Sequence, residues 1–202
     1  EGALGPSLDF QNQLVQKGNV GGSAFKFPNT VYNAAGGYLS ICAGIKGYNV
    51  TVTNGAQSGL QSVAYAMQVM RNGWEDAMLA TGTDENSAII SELYHGLGLV
   101  ADTHVLPYEG KKQFSLSDGS ISLLTETEAS ANARGARVYC HIAGYGMAHE
   151  SVPFGTVKGS GQGLANAISS AFVDAGVRPE EIDAVIGFAN GEGSVDAAEA
   201  EG

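Results

Sequence analysis

Residues 51–70 read TVTNGAQSGLQSVAYAMQVM, and the change of pattern inside them decides the fold class. Up to Thr53 the chain is β-branched and alternating (YNVTVT, residues 48–53), which predicts a strand. Asn54-Gly55 breaks that pattern, after which Leu60, Val63, Ala64, Met67 and Met70 recur at helical spacing. Asn72-Gly73 then supplies a left-handed helix stop. A strand, a sharp turn and a helix in succession form the repeating unit of a layered α/β fold.

The flanking sequence continues the alternation. Residues 77–83 (AMLATGT) form a short apolar run expected of a strand covered on both faces. Residues 121–127 read as a further strand, followed by a short Ala-rich helix that stops near Gly135. Residues 137–143 (RVYCHIA) and 184–189 (AVIGFA) are strand-like as well. Between them Leu164, Ala167, Ile168, Ala171, Phe172 and Ala175 lie on one helical face, with Gly176 as the stop and Pro179 opening a short turn of helix. Residues 87–117 are less regular and read as an excursion.

Composition narrows the function classes. The chain has 202 residues, 44% hydrophobic and 15% charged, enough for a packed core. Its formal net charge of −11 argues against a nucleic-acid binder and against attraction to anionic lipid. No apolar run approaches the roughly 18 residues of a membrane span. Cys42 and Cys140 are too few for a disulfide scaffold and suit a reducing, cytoplasmic setting. No leader pattern is read at Glu1. The 29 glycines have no fixed period and fall between the patterned segments, as turns do.

The turn at residues 54–58 is the first place to look for chemistry. A helix N-terminus stabilises negative charge, so a side chain presented there is a candidate nucleophile. Here it offers Asn54, Gly55, Ala56, Gln57 and Ser58; the plainer reading makes Gly55 the turn and Ser58 or Asn54 the helix cap. Cys140 and His141 are neighbours in a predicted strand, so they point to opposite faces and make a poor dyad. Cys42, among small and apolar residues in SICAGIKG, reads as a packing cysteine. His95, His104, His141 and His149 show no metal-ligand spacing, and no metal or cofactor is expected. Glu150 beside His149, the Asp84-Glu85 step and the acidic stretch from Glu192 through Asp196 and Glu199 to Glu201 read as solvated. GSGQG at 159–163 lacks the spacing of a phosphate loop and reads as a flexible start to the long helix.

Four stretches in order resemble the condensing enzymes of fatty acid and polyketide synthesis, the β-ketoacyl-acyl carrier protein synthases. FPNTVYNAAGGYLSICAGIKGYNVTVTNGAQSGLQSVAYA (27–66) is similar to the approach to the family's nucleophile, and LATGTDE (79–85) to the strand after the nucleophile helix. LPYEGKKQFSLSDGSISLLTETEASANARGARVYCHIAGYGM (106–147) is similar to the stretch linking the family's two halves. VDAGVRPEEIDAVIGFANGEGSVDAAEAE (173–201) is similar to the approach to its first catalytic histidine. The resemblance implies a thiolase-like layered α/β fold, partial here: the end of a first half, about residues 1–118, and the start of a second, about 119–202. The family's later lysine, its second histidine motif and its Gly/Phe oxyanion-hole loop have no counterpart, so the chain is expected to be a fragment or a cut-down protein.

Carried over residue by residue, the resemblance implies lost catalytic groups. The nucleophile motif T-x-C-x-S-G/S-L meets Thr53-Asn54-Gly55-Ala56-Gln57-Ser58-Gly59-Leu60, which sets Ala56 where the cysteine stands. The histidine motif H-G-T-G-T meets Asn190-Gly191-Glu192-Gly193-Ser194, so an amide replaces the imidazole. Members without a nucleophile are the chain length factors, which pair with an active ketosynthase and commonly carry glutamine at that position. Gln57 lies one place later, which leaves open whether Ala56 or Gln57 takes it. The family's length-gating helix falls at residues 4–14, with Leu4, Ser7, Phe10 and Gln11 as candidate tunnel liners. The resemblance therefore implies a non-condensing subunit in a heterodimer with an active ketosynthase, served by an acyl carrier protein. The alternatives are a malonyl-carrier decarboxylase that uses Gln57 and Asn190 to hold the thioester oxygen, and an inactive fragment.

Overall fold

The computed structural model describes residues 3–110, 114–150 and 159–202. The start of the chain at Glu1 and residues 111–113 of the central stretch lie outside the described residues. The chain divides into two compact units: Glu1–Ile89 with Ser117–Tyr139, and Ile90–Leu116 with Cys140–Gly202.

The first unit opens with α1 (Leu4–Lys17), two short 3₁₀ turns at Gly18–Gly21 and Phe27–Thr30, and α2 (Ala34–Ala43). Lys17 in the last turn of α1 complements the helix dipole. The Ser7 hydroxyl donates to the Thr30 carbonyl oxygen at 2.7 Å, and the Phe10 ring centroid lies 5.6 Å from that of Phe27, so α1 is tied to the second 3₁₀ turn. Gly44, left-handed at φ 66°, stops α2. α3 (Ser58–Arg71) follows, and β1 (Ala77–Asp84) leads to α4 (Ala88–Gly96), which begins where the first unit ends and continues into the second. β2 (Gly119–Glu126) and α5 (Glu128–Ala133) complete the first unit.

β1 and β2 pair antiparallel, from Ala77 opposite Glu126 to Asp84 opposite Gly119. Strand alternation gives each strand two different faces. Ala80 is buried and Met78 half-buried on one face of β1, whereas Leu79, Thr81 and Thr83 are exposed on the other. The expected cover on both faces is therefore present on one. On the open face Thr81 and Ser122 share a hydroxyl hydrogen bond of 2.9 Å, and Thr83 and Ser120 one of 2.7 Å. The core of this unit comprises Ala66, Met67 and Val69 of α3, Ala80 of β1 and Ala131 of α5, with the Thr125 hydroxyl satisfied by the Met78 carbonyl at 3.0 Å. Leu60, expected on the buried face of α3, is exposed instead. Cys42 is exposed as well, because its stretch of α2 has its apolar neighbours Leu39 and Ile41 uncovered.

Thr127 caps α5 by accepting the Ser130 N–H at 3.3 Å. Arg134 just beyond α5 pairs with Glu126, and that guanidinium holds the Glu126 carboxyl below its ordinary value. Gly135 follows at φ 65°, near the predicted stop.

In the second unit the Tyr94 ring meets Phe114 edge-on at 5.5 Å, and Val100 forms an isolated bridge with Phe114. The supposed excursion at residues 87–117 thus contains a helix and a tied-back loop. α6 (Gln162–Ala175) ends at left-handed Gly176, as the sequence predicts. The extended chain around Gly144 and Gly146 lies so close to Ala167, Ala171 and Ala175 that a Cβ at either glycine would clash with the α6 backbone. The Pro179–Glu181 turn is closed by the Arg178 N–H donating to the Glu181 carboxylate at 2.8 Å, and α7 (Gly193–Glu201) follows.

Three predicted strands are unpaired: residues 48–53, 137–143 and 184–189 make no ladder among the described residues. A β-branched, alternating segment becomes a strand only when a neighbour supplies the matching N–H and C=O groups. The Tyr48 N–H is taken by the Glu75 carboxylate at 3.1 Å and its ring stacks on Trp74 at 5.6 Å. Val185 is 83% exposed and Ile186 98%, so apolar side chains of the last segment stand open.

Candidate functional site

The turn before α3 is built from its own polar groups. Gly55 turns the chain at φ 61°. The Ser58 hydroxyl accepts the Asn54 N–H at 2.7 Å and donates to the Gly55 carbonyl at 2.7 Å. The Asn54 side-chain amide donates to Gln61 Oε1 at 3.0 Å. Neither Ser58 nor Asn54 caps α3: the N-cap position is Gln57, and no side chain accepts from the first turn. The positive end of the helix dipole is thus left without a capping side chain beside the exposed Ala56 and Gln57. Ala56 carries only a methyl group, which cannot attack a carbonyl.

The candidate liners of α1 belong to the same unit. Leu4, Ser7 and Phe10 are half-buried and Gln11 is exposed. Ser7 and Phe10 meet the Phe27–Thr30 turn.

Asn190 belongs to the second unit. Its Oδ1 accepts the Glu192 N–H at 2.9 Å, and its Nδ2 has no partner among the described residues. Ala189 before it has φ 47°, unusual for a residue with a Cβ, and Gly191 after it φ 87°. Of the acidic stretch that follows, Glu192 and Asp196 are buried and Glu199 half-buried, while Glu201 is exposed. Glu192 is 5% exposed and caps α7 by accepting the N–H groups of Ser194 at 3.0 Å and Val195 at 2.9 Å. Asp196 is 2% exposed and accepts the N–H groups of Tyr108 at 2.6 Å and Gly191 at 3.2 Å. Glu199 accepts from the N–H groups of Phe188 at 2.5 Å and Ala189 at 2.9 Å and from the Tyr108 hydroxyl at 2.9 Å. Desolvation pushes the Glu199 carboxyl up, but those three bonds outweigh it and hold the group below its ordinary value. The Tyr108 hydroxyl is pushed up, first by its bond to Glu199. The spacing of Asp196 and Glu199 sets both on one side of α7, but nothing in the sequence names the N–H groups they accept.

Glu150 is likewise no free loop carboxylate. It accepts the Ser160 N–H and hydroxyl, each at 2.7 Å, and the Gly163 N–H at 2.5 Å, so GSGQG wraps an internal carboxylate at the start of α6. Asp84 and Glu85 line an open, exposed depression with Asp118, whose carboxylate accepts the Asn86 N–H at 2.5 Å. His95 and Asp102 form an exposed pair at 3.3 Å. Among the described residues no three His, Cys, Asp or Glu side chains are grouped to hold a metal ion, and no helix is long and apolar enough to cross a membrane.

Residues 4–128 match the β-ketoacyl synthase N-terminal domain, and residues 139–202 match the C-terminal domain of the same family. The chain belongs to the β-ketoacyl synthase family. This ketosynthase-family chain is 30% identical over 189 residues to the 3-oxoacyl-[acyl-carrier-protein] synthase 2 of Vibrio cholerae, covering 90% of itself and 45% of that protein. It is 30% identical over 177 residues to the Staphylococcus aureus synthase 2, covering 84% of itself and 44% of the relative. It spans about half the length of the curated relatives it matches. Among solved structures, a β-ketoacyl synthase from Burkholderia phymatum is similar with a TM-score of 0.88 at 21% identity, over 99% of this chain and 50% of that one. An ishigamide ketosynthase/chain length factor gives 0.86 at 24% identity, over 97% and 49%. A type II polyketide ketosynthase in complex with its acyl-carrier protein gives 0.87 at 19%, over 98% and 53%. The fold is α/β, a partial thiolase-like ketosynthase fold.

Proposed function

We propose that the chain is part of a non-condensing ketosynthase-like subunit, of chain length factor type, that pairs with an active ketosynthase and helps to wall its acyl tunnel. The observation that carries this reading is the exposed methyl of Ala56 in an otherwise ordered turn at the N-terminus of α3. Condensation by the family's usual route needs a thiolate there to take the acyl chain. Gln57, the alternative occupant, carries an amide and is equally unable to form a thioester. Asn190 removes the second requirement, because an amide exchanges no proton near neutral pH. A turn that keeps its hydrogen bonds without its chemistry fits a subunit retained for shape and pairing. The open apolar residues Tyr139, Val185 and Ile186 call for cover by another surface. Similar solved folds include a ketosynthase/chain length factor and a ketosynthase with its carrier protein, and the partners proposed here are of those kinds. The portions 1–118 and 119–202 are proposed as the end of the first ketosynthase half and the start of the second.

The test is acyl loading. An acyl-carrier thioester is incubated with the chain and with an active ketosynthase, and intact masses are recorded. The reading expects the ketosynthase to gain the acyl mass and this chain to gain nothing; a covalent acyl adduct on this chain overturns it.

The Nδ2 of Asn190, unpartnered among the described residues, favours one second reading, a malonyl-carrier decarboxylase in which that donor holds the thioester oxygen. Turnover of malonyl-carrier protein without any partner separates the two.

A further inference from the structure

We propose that Glu199, seconded by Tyr108, is a positioning residue that sets the direction of the Asn190 side-chain amide. This rests on the reading of Asn190 as a position facing the acyl thioester. Among the described residues only two without a glycine backbone have positive φ, Tyr108 at 59° and Ala189 at 47°. Both are held by carboxylates of α7. Glu199 takes the Ala189 N–H and the Tyr108 hydroxyl, and Asp196 takes the Tyr108 N–H. The residues on either side of Asn190 are thus anchored separately, Ala189 on Glu199 and Gly191 on Asp196.

A left-handed backbone at a residue with a Cβ persists only where its surroundings over-determine it. Here the surroundings are charged acceptors, whose hydrogen bonds are stronger than neutral ones. Rotating Ala189 out of its conformation would swing the Cα–Cβ bond of the next residue. The amide of Asn190 is therefore aimed by its neighbour's strain, and the Glu192 N–H then holds its Oδ1. A capping role alone would not need Glu199, since α7 is capped by Glu192.

The side-chain amide of Asn190 is followed by selective ¹⁵N labelling of asparagine, with backbone exchange measured at Phe188 and Ala189 and at Ala165 of α6 as a reference. In Glu199→Ala, and in the milder Glu199→Gln in case the first fails to fold, exchange at Phe188 and Ala189 is expected to rise at least about tenfold with Ala165 unchanged. The Asn190 side-chain resonances are expected to move and broaden, with Tyr108→Phe giving a smaller change of the same kind. Adding Ala189→Gly to Glu199→Gln should recover thermal stability without restoring the Asn190 resonances. Asn190 resonances that stay in place in Glu199→Gln while stability falls make Glu199 a structural staple and overturn the proposal. Unchanged exchange at Phe188 and Ala189 overturns it too. Failure of the underlying reading shows elsewhere, as an Asn190→Ala variant that leaves both the partner's products and malonyl turnover unaltered.

Discussion

Gly82 of β1 faces Gly59 of α3 so closely that a Cβ added at Gly82 would lie 3.1 Å from the Gly59 Cα. A Cβ at Gly59 would instead lie 3.7 Å from the Gly82 Cα, an ordinary contact. The start of α3, and with it the turn bearing Ala56 and Gln57, is seated on the strand by this glycine pair. The two positions should respond differently. Gly82→Ala pushes against helix backbone, which cannot yield as a side chain would, and is expected to destabilise by about 1–3 kcal/mol. Gly59→Ala finds room and gains helix propensity, so it should be neutral or stabilising by up to about 1 kcal/mol. Urea melts of both variants check this; equal losses would mean that the strand and helix are not in register at this point.

If the turn before α3 retains the environment of a nucleophile, Ala56→Cys should create a reactive thiol. A helix N-terminus lowers a cysteine's pKa and raises its thiolate fraction. Alkylation by iodoacetamide at pH 7, followed peptide by peptide, is expected to be several-fold faster at residue 56 than at Cys42 or Cys140, both of which are exposed. Equal rates at all three would show that exposure alone governs reactivity.

The start of α6 should be acid-sensitive. The Ser160 hydroxyl, then the N–H groups of Ser160 and Gly163, hold the Glu150 carboxyl below its ordinary 4.5, with His149 adding a smaller pull and desolvation opposing. A carboxyl whose pKa is lowered on folding contributes stability that is fully present above its unfolded value and is lost as pH falls through the folded one. Protection of the Gly163 amide should therefore hold above pH 4.5 and fall away below it. Glu150→Gln should show weaker protection at pH 6 and no added loss on acidification, as read by hydrogen exchange. A wild-type profile with no acid limb would remove Glu150 from this role.

α1 offers a test of the tunnel assignment. Leu4→Ala and Phe10→Ala should shift the partner's products to longer chains, while Gln11→Ala, on the exposed side, should shift them less. Phe10→Ala also removes the ring that meets Phe27, so a loss of about 2–3 kcal/mol in stability is expected alongside. An unaltered product distribution in all three argues that α1 lines no tunnel.

How much of this was legible in the sequence depends on what each feature needs. α3 and α6 announce themselves by helical spacing and by the stops at Asn72-Gly73 and Gly176, all of which are local. β1 is legible as a short apolar run and β2 as a strand pattern, and both find their partner in each other. Residues 48–53, 137–143 and 184–189 carry the same pattern, but a ladder requires a second strand that no local pattern can promise. α2 hides behind Gly36-Gly37, which blur its periodicity. The reading of Ala56 and Asn190 as degenerate positions rests on motif order. Asp196, Glu199 and Glu150 were not legible, because their partners are backbone N–H groups, and those have no sequence signature.

Pairing with an active ketosynthase is decided by native mass spectrometry of the co-expressed, co-purified proteins. A one-to-one complex whose mass is the sum of this chain and the ketosynthase is expected. A homodimer or monomer of this chain, with the ketosynthase unbound, would contradict it.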